Sequence, residues 1–262
     1  MPKSFVNSPI KYLLAYSFYH YITTFPKRIE EFVNTCGNNF LLCSKEDFGI
    51  ITAMEKLLNA AVGKMEEPMN RLALVLLKNV FHIPGLYGKL CHYAKHTDKY
   101  PEEEKYAHIQ KVLGRVVTSG NVELKTFGLE NIPKEGGFLL YGNHQGLFDV
   151  IALAYTCPRP IAAVLKKELK NLPLLKQIVA CTKSFAMDRE DVRQSLEVIR
   201  AVTEELKQGR NYLIFPEGTR SRNGNQMGEF HGGSFRCAIK AKCPIIPVAL
   251  IDSYKVLDQK GS

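Results

Sequence analysis

Phe138-Leu139-Leu140-Tyr141-Gly142-Asn143-His144-Gln145-Gly146-Leu147-Phe148-Asp149 joins a short apolar run to a histidine, with an acid five residues beyond it. The run is short and ends at Gly142, which predicts a buried strand over residues 137–141. His144 then falls at the carboxyl end of that strand, where open α/β sheets place their ligands. A neutral imidazole there can take a proton from a hydroxyl. Asp149 can hold the ring's other nitrogen and fix its tautomer. In a straight helix five residues turn a side chain by about 500°, or about 140° off the first face. Pairing therefore requires a loop or bend ahead of the helix, and Gly146 permits one. A loop histidine beside a helix-capping or surface aspartate would read the same way, so this stretch alone does not decide the chemistry.

A second stretch, Asn211-Tyr212-Leu213-Ile214-Phe215-Pro216-Glu217-Gly218-Thr219-Arg220-Ser221-Arg222, repeats the pattern of apolar run and polar turn. Pro216 forces extended or turn geometry on Phe215 and excludes a central strand from that point. Gly218 supplies a special backbone angle or a close ligand approach. Glu217, Thr219, Arg220, Ser221 and Arg222 crowd the turn, and a strand that ends among such donors suits an anion. Turn chemistry alone accounts for the proline, glycine and threonine, but not readily for two arginines and a glutamate beside them.

Together the two stretches resemble the glycerolipid acyltransferase family, most of all its bacterial 1-acyl-glycerol-3-phosphate acyltransferases. The family's block Asn-His-x-Ser-x-x-Asp is matched by Asn143, His144 and Asp149, with Gly146 where the family has serine. Its block Phe-Pro-Glu-Gly-Thr-Arg-Ser is met in full by Phe215 to Ser221. A middle block resembles Phe185-Ala186-Met187-Asp188-Arg189-Glu190, and a last block resembles Ile245-Ile246-Pro247-Val248-Ala249. The resemblance spans roughly residues 115–255. It implies transfer of a fatty acyl group from an acyl thioester to the 2-hydroxyl of 1-acyl-sn-glycerol 3-phosphate (lysophosphatidic acid), giving phosphatidic acid. His144 would be the general base and Asp149 its orienting partner. Arg189, Glu217, Gly218, Thr219 and Arg220 would bind the phosphorylated acceptor, and residues around Gly146 and the 217–219 turn are candidate oxyanion donors. The donor would be acyl-coenzyme A or acyl-acyl-carrier protein, with no bound cofactor and no metal. The alternatives are a member of the family with another lipid acceptor, or a non-enzymatic lipid-binding homologue.

Outward from these blocks, Asp191 to Lys207 has apolar residues at helical spacing, and Gly209 closes it ahead of the 212–215 strand. Residues 161–164 and 245–251 are further strand candidates, and 234–242 a further helix. Glu102 to Leu113 reads as a helix with acids in its first turn, whereas Val116 to Phe127 reads as β structure. The expected fold is α/β, a mixed central sheet flanked by helices, over residues 114–262. Residues 67–113 hold a two-helix motif and a linker helix, with Pro84-Gly85 as the expected break between the two helices. Their apolar faces and basic flanks suit a membrane interface, the role that the resemblance also implies. Residues 1–66 form a helical extension to which no chemistry is assigned. Similar enzymes continue with another strand and terminal helices, so the chain is expected to be either a shortened form or incomplete.

The 262-residue chain is 45% hydrophobic and 23% charged, an ordinary globular balance. Its net charge of +9 favours anionic partners, but no organised nucleic-acid motif accompanies it. From Arg159 to Lys183 six basic residues stand against one acid, Glu168, which suggests a basic rim for donor phosphates or acidic headgroups. Seven cysteines, odd in number and without a Cys-x-x-Cys pair, fit a reducing compartment rather than a disulfide or zinc framework. No secretory signal and no run of roughly 18–20 uncharged residues is present. The expected location is the cytoplasmic face of the membrane, peripheral or monotopic. No Gly-x-Ser-x-Gly elbow offers a covalent serine route.

Overall fold

Leu139–Gly142 forms strand β1, buried at every position, so the apolar run that precedes His144 is an inner strand with both faces covered. The computed structural model describes residues 71–188 and 190–257. The expected extension over residues 1–66 and the expected phosphate ligand Arg189 lie outside the described residues.

From β1 the chain runs through helix α4 (Phe148–Thr156), strand β2 (Ala162–Lys166), helix α5 (Leu175–Thr182) and strand β3 (Phe185–Met187). Helix α6 (Val192–Lys207), strand β4 (Tyr212–Ile214), helix α7 (Arg236–Ala241), strand β5 (Ile245–Val248) and helix α8 (Tyr254–Leu257) follow. Three helices precede β1: α1 (Arg71–Asn79), α2 (Ile83–Lys95) and α3 (Glu102–Ser119).

The strands lie in the order β3-β2-β4-β1-β5, and every pair among them is parallel. The mixed sheet expected from sequence is therefore corrected to a parallel one among the described residues. The physical reason is the connections: each of β1 to β4 is followed by a helix-bearing crossover that returns the chain to the same end of the sheet. Adjacent β1 and β4 send their crossovers in opposite directions, to β2 and to β5, which makes their carboxyl ends the switch point where open α/β sheets place ligands. Pro247 lies on β5, at the sheet edge, where its missing N–H leaves no gap in a second ladder.

Alternation along β1 divides the core. Leu139 and Tyr141 face Tyr212, Ile214 and the apolar stripe Val198, Val202 and Leu206 of α6. Phe138 and Leu140 face the other way, with Leu213, Leu153 of α4 and Tyr106 of α3. At Gly137 the chain passes so close to the end of α6 that an added Cβ would stand 2.4 Å from the Leu206 carbonyl oxygen. Asp191 caps α6 by accepting from the Gln194 amide at 3.0 Å, as an acid at a helix start should.

Two expectations change. Val116 to Ser119 is helix, not β structure, because Val117 continues the buried face Tyr106-Ile109-Leu113 of α3 by one more turn. Residues 122–127 pair with no strand among the described residues: Val122 and Leu124 pack beside Phe148 and Val256, while Phe127 is 88% exposed. The break between α1 and α2 comes at residues 80–82, not at Pro84-Gly85. Pro84 sits in the first turn of α2, where its absent N–H costs nothing. Leu90 and Tyr93 of α2 are buried against Ile109, Leu113 and Cys181. No helix among the described residues is long and apolar enough to cross a membrane.

Candidate active site

His144 and Asp149 meet. Nδ1 of His144 lies 2.7 Å from Oδ2 of Asp149. Residues 143–147 form a non-helical turn before α4 starts at Phe148, which is the bend that a five-residue spacing requires. The same Oδ2 accepts from the Gln145 amide at 2.6 Å and the Gly146 amide at 2.9 Å. Asp149 is 0% exposed. Burial pushes its carboxyl up, but the donors around it, His144 first and then the Gly146 and Gln145 amides, outweigh burial and hold it below the usual carboxylate value. An ionised carboxylate only accepts, so Nδ1 of His144 carries the proton and Nε2 is the basic nitrogen.

The second stretch closes around the histidine. Glu217, 3% exposed, accepts from the His144 amide at 2.7 Å through Oε1 and from the Gly228 amide at 2.7 Å through Oε2. The Ser221 amide donates to the His144 carbonyl at 2.7 Å. Both backbone groups of His144 are thus held by the turn that follows β4. Phe215 adds a stacked ring, 4.1 Å from the imidazole centroid and tilted by 13°. Gly218 sits at φ +66°, with the His231 ring packed against the place a Cβ would take, so only glycine turns the chain here. Thr219 and Arg220 project from this turn at the exposed surface.

Asn143 extends the β1–β5 contact past the end of the strand. Its carboxamide donates to the Leu250 carbonyl at 2.9 Å and accepts from the Leu250 amide at 2.7 Å, as a peptide group would. Gln145, 2% exposed, donates to Leu250 O at 2.8 Å and to Asn225 Oδ1 at 2.9 Å, and accepts from Ser253. Sequence reading missed Gln145, Asn225 and Ser253. The one available signal was a long carboxamide set between a histidine and a glycine in a turn otherwise made of small and apolar residues.

The structure also revises two expected contacts. The Gln145 and Gly146 amides are engaged by Asp149, so they are not oxyanion donors in this arrangement. The basic stretch from Arg159 to Lys183 is not one rim. Arg159 binds the Pro133 carbonyl at 2.9 Å and lies over Phe138, at the amino end of the sheet. Lys166 and Lys167 lie at the carboxyl end of β2, paired with Glu168 at 3.2 Å and Asp188 at 2.7 Å.

A parallel α/β sheet that presents a partly exposed histidine on a buried aspartate at its switch point, braced by a Pro-Glu-Gly turn, has a match among known families. Residues 123–251, a little under half of the chain, fit the acyltransferase family model. It is 36% identical over 135 residues to the 1-acyl-sn-glycerol-3-phosphate acyltransferase of Helicobacter pylori, covering 50% of this chain and 57% of that one. It is 37% identical over 138 residues to the enzyme of the same name from Pseudomonas aeruginosa, covering 52% of each. The chain thus spans a little over half the length of these relatives. Its fold is similar to the crystal structure of the 1-acyl-sn-glycerophosphate acyltransferase PlsC from Thermotoga maritima, with a TM-score of 0.51, 24% identity, and coverage of 68% of this chain and 72% of that one.

Proposed function

We propose that this chain transfers a fatty acyl group from an acyl thioester to the 2-hydroxyl of 1-acyl-sn-glycerol 3-phosphate, giving phosphatidic acid. The observation that carries the reading is the 2.7 Å hydrogen bond between the buried Asp149 and the partly exposed His144, with the histidine backbone clamped by the Glu217 turn. Nε2 of His144 takes the proton of the acceptor hydroxyl. Asp149 fixes the tautomer and stabilises the imidazolium that forms. The alkoxide attacks the thioester carbonyl, and the tetrahedral intermediate expels the thiolate, which recovers the proton. Arg220 and Thr219, on the exposed side of the same turn, suit the acceptor phosphate, and Arg189 is the third residue assigned to it. Gly218 lets the chain turn between Glu217, which holds the His144 amide, and Thr219. Glu217 acts chiefly through His144, since both its oxygens already accept backbone amides. The relatives named for this acceptor support the choice of lysophosphatidic acid. The donor is acyl-coenzyme A or acyl-acyl-carrier protein, and the working surface is the cytoplasmic face of a membrane.

The test offers the purified chain both donors, with a 1-acylglycerol and its 3-phosphate as matched acceptors. Transfer to the phosphorylated acceptor is expected, abolished by His144→Ala without loss of the circular dichroism spectrum. Arg220→Ala is expected to raise KM for the phosphorylated acceptor by roughly tenfold or more, the worth of a charge-assisted hydrogen bond. Equal use of the two acceptors by the unaltered chain would rule out the phosphate reading.

A further inference from the structure

Asp149 is unevenly served. Its Oδ2 accepts three donors, from His144, Gln145 and Gly146. Its Oδ1 is buried and has no hydrogen-bond partner among the described residues. A bare carboxylate oxygen at the centre of a site is costly unless a nearby donor can turn to it. The candidate donor comes from outside both sequence blocks. Ser253, 7% exposed, precedes α8, and its amide and hydroxyl reach Gln145 Oε1 at 3.1 and 2.9 Å. Gln145 Oε1 therefore receives two donors from one residue and keeps the amide if the hydroxyl turns away. The serine hydroxyl has one proton, and a charged carboxylate is the stronger acceptor for it.

We propose that Ser253 is a positioning residue of the His144–Asp149 pair, its hydroxyl supplying Asp149 Oδ1 with the donor that the β1 turn lacks. The Ser253 hydroxyl lies 2.9 Å from Oε1 of Gln145, the same residue whose amide lies 2.6 Å from Asp149 Oδ2, so one residue separates the hydroxyl from the carboxylate. Gln145 is the bracket for this contact. It ties the turn after β1 to Leu250 and Ser253, and through Asn225 to the 221–231 loop, where Asn225 Nδ2 donates to Asp252 Oδ1 at 2.9 Å. The segment after β5 thereby completes the site from the far side of the sheet edge. The inference rests on the acyltransferase reading only for the step that the pair performs.

The consequence is a shift in when His144 is a neutral base. With Oδ1 bonded, the carboxylate charge is shared among four donors. Without the hydroxyl, the remaining charge falls more heavily on the imidazole and favours its protonated form. Removing the Ser253 hydroxyl should therefore move the titration of the pair upward by about one unit, the worth of one hydrogen bond to a charged group. The other ionisable groups near the pair are Glu217 on the β4 turn, His231 against Gly218, Arg220, and the Asp252–Lys255 pair beyond Asn225. None of them is altered by the substitution.

The experiment compares the full chain with Ser253→Ala by two readouts. The first is the NMR pH titration of the His144 imidazole, assigned with His144→Gln and read without substrate. The second is the acidic limb of kcat/KM with acyl-coenzyme A and 1-acyl-sn-glycerol 3-phosphate. Both are expected to move to higher pH by about one unit in Ser253→Ala. If that variant does not fold, Ser253→Cys, which keeps the shape but is a weak donor, is expected to show the same direction. A folded variant whose His144 titrates as in the unaltered chain overturns the proposal. The imidazole titration is independent of turnover, so a chain without acyl transfer would sink the functional reading and leave this one standing or falling by itself.

Discussion

His144 is fixed by contacts to its ring and to its backbone. The ring is held by Asp149 and Phe215, and its amide and carbonyl are held by Glu217 and Ser221. Asp149→Asn tests the ring contact. Asparagine keeps the size of the side chain and one acceptor, but it cannot balance an imidazolium charge. Turnover is expected to fall on the order of 10³–10⁴-fold, as in other His–Asp pairs, with KM little changed. Stability gives a second, independent reading. The Asp149 carboxyl is held below its ordinary value of 3.8 in the folded chain, so the unfolded chain binds its proton more readily. Its contribution to stability is therefore fully present above about pH 4, and is lost as the pH falls through the lower folded value. Denaturant titrations across pH 2–7 should show this acid loss in the unaltered chain and a flatter profile in Asp149→Asn. An unchanged profile would mean that the carboxylate is not favoured by folding. The pairing of His144 with Asp149 was readable from sequence because Gly146 sits between them. The clamp by Glu217 was not, because a glutamate in a polar turn gives no sign that both its oxygens will be buried against backbone.

At the scale of elements, the tightest joint is where β1 leaves the end of α6. Gly137→Ala would place a Cβ 2.4 Å from the Leu206 carbonyl oxygen and 2.7 Å from that of Arg210. Both obstacles are backbone atoms, so the strand must shift and the β1–β4 register with it. The expected loss is roughly 3 kcal/mol, the upper part of the range for overpacked sites. It would be read as a lower urea midpoint at constant m. A midpoint within error of the unaltered chain would show that this joint can relax. Much of this layer was legible: α6 from its spacing and its Asp191 cap, and β1, β2, β4 and β5 from short apolar runs. Two readings failed for a shared reason. Val116 and Val117 look like strand residues by type, yet Tyr106, Ile109 and Leu113 set a helical face that Val117 prolongs. Likewise Pro84 looks like a breaker, but a first-turn proline starts a helix as readily as it ends one. The direction of each strand lay in the crossovers rather than in the strands, so parallel could not be told from mixed by local pattern.

For the whole molecule, the parallel sheet sorts charge that sequence order had mixed. Arg159, Lys183 and Arg210 precede β2, β3 and β4 and so belong to the end of the sheet away from His144. Arg210 is engaged there by Glu102 at 2.8 Å and by Glu205. Lys166, Lys167, Lys170 and Lys176 follow the carboxyl end of β2, on the same side of the sheet as the His144 turn. Lys166 and Lys167 have acidic partners, whereas Lys170 and Lys176 are exposed and have no carboxylate partner among the described residues. Between them Leu172 is 45% exposed. Two such lysines around an apolar side chain suit an anionic lipid surface, with the apolar residue entering the interface and the ammonium groups at headgroup level. Each basic residue near such a surface contributes about 1 kcal/mol. Lys170→Gln with Lys176→Gln is therefore expected to weaken partition onto phosphatidylglycerol-containing vesicles by roughly thirtyfold in low salt. Partition onto neutral phosphatidylcholine vesicles and the thermal melting curve should stay as they were. Because the attraction is screened, about 0.5 M salt should remove most of the difference between the two proteins. Flotation of the double variant equal to that of the unaltered chain would move the contact surface elsewhere, to the apolar faces of α1 and α2.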